Sequence, residues 1–215
     1  MVEEEAKTER LKATPMVEKL VRINSEQTSL SLDAGCGDGV YFSSFRSSDV
    51  VRLDLSLLRL RRCKQYPLDK KLHLVLGDVR FLPFRNGCFD FVLCSSVIEH
   101  MEEKDANGVF EEIHRIVDGI IEVEVPNRNR LFKLLTRILY GRELQFHKSD
   151  WTNKKLQLRG FHVIACLGWV SYYRFIPVKF QFLGRLVDLI LGVFPSQFGG
   201  TLIGIKYAPR SLSCR

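Results

Sequence analysis

The sequence predicts an α/β protein: a doubly wound, mostly parallel seven-stranded sheet with helices on both faces. Three observations predict it. Seven short apolar runs rich in β-branched residues punctuate the chain, and helical patterns alternate with them. A glycine-rich turn also follows the first run, where a strand feeds a helix.

The elements follow in order. Residues 6–24 read as an entry helix with Val17, Leu20 and Val21 on one side. Strands are expected at 30–35 (LSLDAG), 50–55 (VVRLDL), 72–78 (LHLVLGD), 89–96 (FDFVLCSS), 119–126 (GIIEVEVP), 161–168 (FHVIACLG) and 201–208 (TLIGIKYA). Helices are expected at 39–47, 56–65, 105–117 and 152–159. Two connections, 128–147 and 170–199, are longer than such units need. In an open α/β sheet ligands sit beyond the carboxyl ends of the strands. These insertions are therefore expected to form a substrate lid or a membrane- or partner-facing cap.

With 215 residues, 46% hydrophobic and 27% charged, the composition is that of one globular domain over 1–215. Disorder, collagen-like repeats and a disulfide-stapled mini-fold are excluded. The six cysteines (36, 63, 88, 94, 166 and 214) show neither a CxxC pair nor zinc-type His/Cys spacing, so no metal site is expected. Their apolar settings point to a reducing, cytoplasmic compartment. The acidic, polar start is unlike a signal peptide. The apolar stretch 180–195 is broken by Arg185 and Asp188 and falls short of the roughly 20 apolar residues of a membrane span. Charge is unevenly split: residues 1–127 hold 17 basic and 22 acidic side chains, residues 128–215 hold 15 and 3. The late part is expected either to meet an anionic partner (phosphorylated substrate, lipid head group or nucleic acid) or to be a solvated basic face.

The most informative segment is Asp33-Ala34-Gly35-Cys36-Gly37-Asp38-Gly39. Alternate glycines let the backbone turn tightly and approach a ligand with no Cβ in the way. A dinucleotide turn wants its third glycine at position 40, which is Val40 here. Asp33 and Asp38 flank the turn, oppose a phosphate and favour a cation, such as the ammonium and sulfonium of S-adenosylmethionine. Asp54, about 20 residues past the turn, is placed to accept from ribose hydroxyls, or to cap a helix. Asp78, in Gly77-Asp78-Val79, can receive an adenine amino group while a neighbouring apolar residue packs on the ring. The fourth run ends in Cys94-Ser95-Ser96, small residues that leave room for two ligands to meet, followed by Val97-Ile98-Glu99-His100.

Four segments in register, DAGCGDG (33–39), LDLS (53–56), GDVRFLPF (77–84) and FDFVLCSSVIEHM (89–101), resemble the class I S-adenosylmethionine-dependent methyltransferases. The likeness is to the broad small-molecule group called type 11; it spans roughly 30–126 and extends weakly over 150–162. It implies a Rossmann-like fold, S-adenosylmethionine as cofactor and methyl transfer as activity. It implies further that Asp33, Gly35, Cys36, Gly37 and Gly39 hold the methionine moiety, and that Asp54 and Leu55 hold ribose and adenine. Asp78 and Val79 would meet the adenine edge, and Cys94 and Ser95 would line the methyl-transfer face. The chain departs from the family in two places. Val117-Asp118-Gly119 replaces a Lys-Pro-Gly-Gly type turn, and residues 1–28 hold no Tyr, Phe or Trp, where many relatives place an aromatic.

Methyl transfer from a sulfonium is an in-line displacement in which positioning alone supplies on the order of 7–11 kcal/mol. A base is needed only for a protonated nucleophile; Glu99, His100 and His147 are the candidates, His100 serving equally as a structural hydrogen bond at a helix start. Cys94 has no preceding proline and no Asn/Asp-Pro-Pro-aromatic motif is present, which disfavours nucleobase methylation. Over 128–142, Leu131, Leu134, Leu135 and Ile138 form an apolar stripe with Arg130, Lys133 and Arg137 on another face. Such a basic amphipathic helix can rest on an anionic membrane surface. The expected acceptor is a small or lipid-like molecule, with nucleic acid not expected. Two alternatives stay open: a non-catalytic S-adenosylmethionine-binding partner subunit, and an RNA methyltransferase using the basic C-terminal part.

Overall fold

The computed structural model describes residues 13–63, 71–127, 147–166 and 200–208. Seven strands form one sheet: β1 Leu30–Ala34, β2 Asp49–Asp54, β3 Lys71–Leu76, β4 Phe89–Ser95, β5 Val117–Pro126, β6 His162–Cys166 and β7 Thr201–Tyr207. Their order is β3-β2-β1-β4-β5-β7-β6. The first five are parallel, and β7 lies antiparallel between β5 and β6. The chain therefore winds outward from β1 to β3, returns, and continues the other way from β4. The switch between β1 and β4 is where such sheets bind ligands.

Helices α1 (Pro15–Asn24), α2 (Leu57–Cys63), α3 (Glu103–Ile116) and α4 (Asn153–Gln157) cover the sheet. Because both faces are covered, β4 reads as a continuous apolar run, with Phe91, Val92, Leu93 and Cys94 all fully buried. Alternation sends Val92 and Cys94 to one face, among Val109, Phe110, Ile113 and Ile116 of α3. Phe91 and Leu93 go to the other, among Met16, Val17 and Val21 of α1. Glu103 and Asp105 in the first turn of α3, and His114 and Arg115 in the last, complement its dipole. Arg115 then clamps the loop after β3: its guanidinium donates to Leu82 O at 2.9 Å and Phe84 O at 2.7 Å while Glu112 holds it from behind.

All seven expected strands are present. The helix expected at 39–47 is not: the segment makes a single 3-10 turn at Phe42–Ser44. Tyr41, Phe42 and Phe45 all enter the α1-side core from this segment. Helix α4 is shorter than expected, and Gly160 in the left-handed region ends its turn. The insertions 128–147 and 170–199 lie outside the described residues apart from His147, and so does the basic amphipathic stretch. Among the described residues no disulfide joins the cysteines, and no helix is long and apolar enough to cross a membrane.

Gly119 faces the backbone of Asp90, where β5 and β4 shift register. A Cβ there would lie 2.0 Å from Asp90 O. Gly119→Ala is expected to cost at least about 2 kcal/mol in urea unfolding. Gly108→Ala, in α3 with nothing near the added methyl, is expected to stabilise by roughly 0.5–1 kcal/mol.

Candidate functional site

The site begins where β1 ends. Gly35, Gly37 and Gly39 have φ of 75°, 54° and 78°. A Cβ on Gly35 would meet Val97 at 2.4 Å, and one on Gly39 would meet the Arg52 guanidinium at 2.6 Å. The turn is therefore closed to side chains on conformational and steric grounds together. Gly35 N–H and Cys36 N–H both donate to Leu53 O, at 2.8 and 3.0 Å, which sets the turn against the end of β2. Gly37 N–H then donates to Asp54 Oδ2, and Ser56 N–H to Asp54 Oδ1, each at 2.8 Å. Asp54 so organises the turn and the entry of α2 at once. Two further lone-pair directions of its carboxylate remain for a ligand. Cys36 packs its side chain with Leu60 and Cys63.

Asp33 is buried, and burial raises its carboxyl to about 6, partly offset by Arg52. Arg52 is fully buried on β2, its guanidinium 3.5 Å from the centre of the Phe42 ring. None of its three guanidinium nitrogens has a hydrogen-bond partner among the described residues. Arg59 also reaches Gly37, and Arg62 lies 3.7 Å from Asp38. The expectation of an anionic turn set by Asp33 and Asp38 is thus amended. Three arginines reach the turn beside its acids, a convergence that positions 13 to 24 residues apart do not reveal in sequence.

Leu55 follows β2 and is 72% exposed; Leu76, paired with Asp54 in the sheet, and Phe81 are exposed too. These apolar side chains sit at the strand ends where an adenine ring is expected. Asp78 is held by Arg80, whose guanidinium donates at 2.6 and 3.0 Å and whose backbone N–H donates at 2.9 Å. That pairing holds its carboxyl below the usual range. Val79 is a core residue.

The Cys94 side chain, expected along the methyl-transfer face, is fully buried. It faces the α3 core, and burial pushes its thiol far up. Ser95 faces the α1 side, where its hydroxyl donates to Glu124 Oε2. Thr14 and Tyr41 hydroxyls donate to the same carboxyl at 3.2 Å. Glu122, two residues earlier on the same face, takes Asn24 Nδ2 at 2.8 Å, and burial raises it to about 8. Sequence reading passed over Glu122, Glu124, Thr14 and Tyr41. The available signal was a pair of acids at alternate positions of an otherwise apolar central strand.

The three base candidates converge. Glu99 is 1% exposed, with its carboxyl raised to about 8 by burial. His100 is exposed, its Nε2 3.9 Å from Glu99 Oε1. The His147 ring lies 5.4 Å from that of His100. The cause is backbone docking: Lys148 N–H and Ser149 N–H donate to Glu99 O at 2.9 and 3.3 Å. Ser149 Oγ donates to Ile98 O and accepts from the fully buried Trp151 indole.

Comparison with known proteins bears on this arrangement. Residues 32–119 match the family model of a methyltransferase domain, type 11. The chain is 30% identical over 147 residues to the uncharacterized protein MJ0638 of Methanocaldococcus jannaschii, covering 67% of this chain and 60% of that protein. It is 31% identical over 103 residues to sterol 24-C-methyltransferase of Schizosaccharomyces pombe, covering 45% of this chain and 27% of that enzyme. The chain thus spans less than two thirds of these relatives' lengths. In fold it resembles magnesium protoporphyrin IX methyltransferase from Synechocystis, solved with S-adenosylhomocysteine, at a TM-score of 0.60 and 15% identity over 92% of this chain and 83% of that one. The matched stretch carries the glycine turn, Asp54, Asp78 and the end of β4, and over these residues the chain is similar to a methyltransferase domain.

Proposed function

We propose that this chain binds S-adenosylmethionine across the β1/β4 switch and transfers its methyl group to a small or lipid-like acceptor. The observation that carries the reading is the Asp54 carboxylate bonded to Gly37 N–H. It joins the Cβ-free turn and the acid on the neighbouring strand into one unit, with lone pairs left for a ribose diol. When bound, the cofactor supplies a methyl group already activated on a sulfonium. The chain's own residues then position: Asp33 and the glycine turn hold the charged amino-acid end, Asp54 the ribose, and Leu55, Leu76 and Phe81 shelter the adenine with Asp78 at its edge. Of the base candidates, exposed His100 has access to an acceptor proton, whereas burial keeps Glu99 largely protonated at neutral pH. The sterol and porphyrin methyltransferases named above support an apolar acceptor by analogy. The basic, apolar late part of the chain supports one that approaches from a lipid surface.

Calorimetry with S-adenosylhomocysteine and with NAD, followed by incubation with S-adenosylmethionine and candidate acceptors, tests the reading. Binding of the homocysteine derivative and acceptor-dependent methyl loss support it. Retention of NAD with no response to the sulfonium donor overturns it, and binding without turnover on any acceptor class favours a partner subunit. Asp54→Asn is expected to weaken S-adenosylhomocysteine about tenfold or more, since one amide oxygen cannot serve Gly37, Ser56 and a diol together.

Asp33 gives a prediction with a definite sign. Its carboxyl titrates near 3.8 unfolded and about 6 folded. The stability it supports is full below pH ~4 and is lost as pH rises through 6, on the order of 3 kcal/mol. In ligand-free urea unfolding, Asp33→Asn is expected to exceed the parent chain at pH 7.5 and to converge with it near pH 4, while its affinity for S-adenosylhomocysteine falls.

A further inference from the structure

Glu99, His100 and His147 form a cluster whose geometry goes beyond what a single base requires. One ligand atom from each lies within 4.8 Å of the others. An ion with bonds of about 2.0–2.2 Å holds tetrahedral ligand atoms about 3.3 Å apart, so at most roughly 1.5 Å of closing between ligand atoms completes the set. The cluster is also built rather than incidental. Glu99 is 1% exposed, and its Oε2 has no hydrogen-bond partner among the described residues, which is costly for a buried carboxyl. His147 is delivered from 47 residues away by two backbone hydrogen bonds onto the carbonyl of Glu99 itself, locked by the Ser149–Trp151 pair. The sequence expectation of no metal site rested on local spacing, which does not register ligands brought together in this way.

We propose that Glu99, His100 and His147 bind one divalent transition-metal ion of the zinc type. Two imidazoles and one carboxylate suit such ions and disfavour magnesium and calcium, which take oxygen ligands. Three protein ligands leave a coordination position open. The cluster follows directly on β4, just past Ser95, at the carboxyl end of the parallel strands, where such sheets take their ligands. The ion's role rests on the methyl-transfer reading above: it binds an acceptor hydroxyl and lowers its pKa, so that the proton leaves to solvent. An oxygen lone pair then forms the new bond to the methyl carbon, and the carbon–sulfur pair returns to sulfur as a neutral thioether. Ligation takes His100 out of the base role.

The test uses the full chain. Zinc is titrated by calorimetry and cobalt by its visible spectrum, on the parent, His100→Ala, His147→Ala and the double variant, with S-adenosylhomocysteine affinity measured on each. Expected are one ion per chain, an affinity loss of about tenfold or more in each single variant, and loss of the cobalt spectrum in the double variant while S-adenosylhomocysteine still binds. Unchanged zinc affinity and stoichiometry in the folded double variant overturns the site, as does failure of the parent to bind zinc or cobalt at all. Displacement of zinc by a large excess of magnesium overturns the choice of ion. Metal binding without S-adenosylhomocysteine binding supports the site and overturns its role in methyl transfer.

Discussion

The bond between Gly37 N–H and the Asp54 carboxylate is the constraint on which the ligand end of this fold depends. It forms where the chain between β1 and the Phe42–Ser44 turn passes three times through the left-handed region, at positions where a side chain would meet Val97, Arg59 or Arg52. Once formed, it fixes the distance between two parallel strand ends. It also orders Ser56, whose hydroxyl accepts from Arg59 N–H in the first turn of α2. A turn, a strand end and a helix start thereby become one rigid surface, which a ligand meets already organised.

The two faces of the sheet divide the labour. The α3 face is apolar throughout, from Leu32 and Val92 to Ile121 and Trp151. The α1 face carries polar groups at successive strand ends: Asp33 on β1, Ser95 on β4, and Glu122 and Glu124 on β5. Burying that many acids is destabilising, as the raised carboxyls of Asp33, Glu122 and Glu124 show. Asn24, Thr14 and Tyr41 moderate the cost by hydrogen bonding. A protein built for stability alone would place apolar residues there.

What was legible in sequence had local causes. β-Branched runs gave all seven strands, and the glycines and Asp54 declared themselves because a tight turn leaves few choices of residue. What was not legible depends on contacts between distant segments. The Arg80 clamp on Asp78 and the Arg115 hold on Leu82 and Phe84 come from side chains whose sequence setting is ordinary. The segment expected as a helix at 39–47 instead makes one 3-10 turn, after Gly39 in the left-handed region, and delivers Tyr41, Phe42 and Phe45 to the core. Cys94, expected beside the reacting methyl, turns out to face α3, since strand alternation assigns it to the same side as Val92. The charge argument at the turn was incomplete for the same reason, because Arg52, Arg59 and Arg62 arrive there only through β2 and α2.

A crystal structure of the chain soaked with S-adenosylhomocysteine tests the central claim most directly. The account predicts the ribose diol on the Asp54 carboxylate, with the Gly37 bond intact, and the amino-acid end against Gly35 and Asp33. A ligand seated elsewhere on the sheet, or one that breaks the Asp54–Gly37 bond in order to bind, would contradict it.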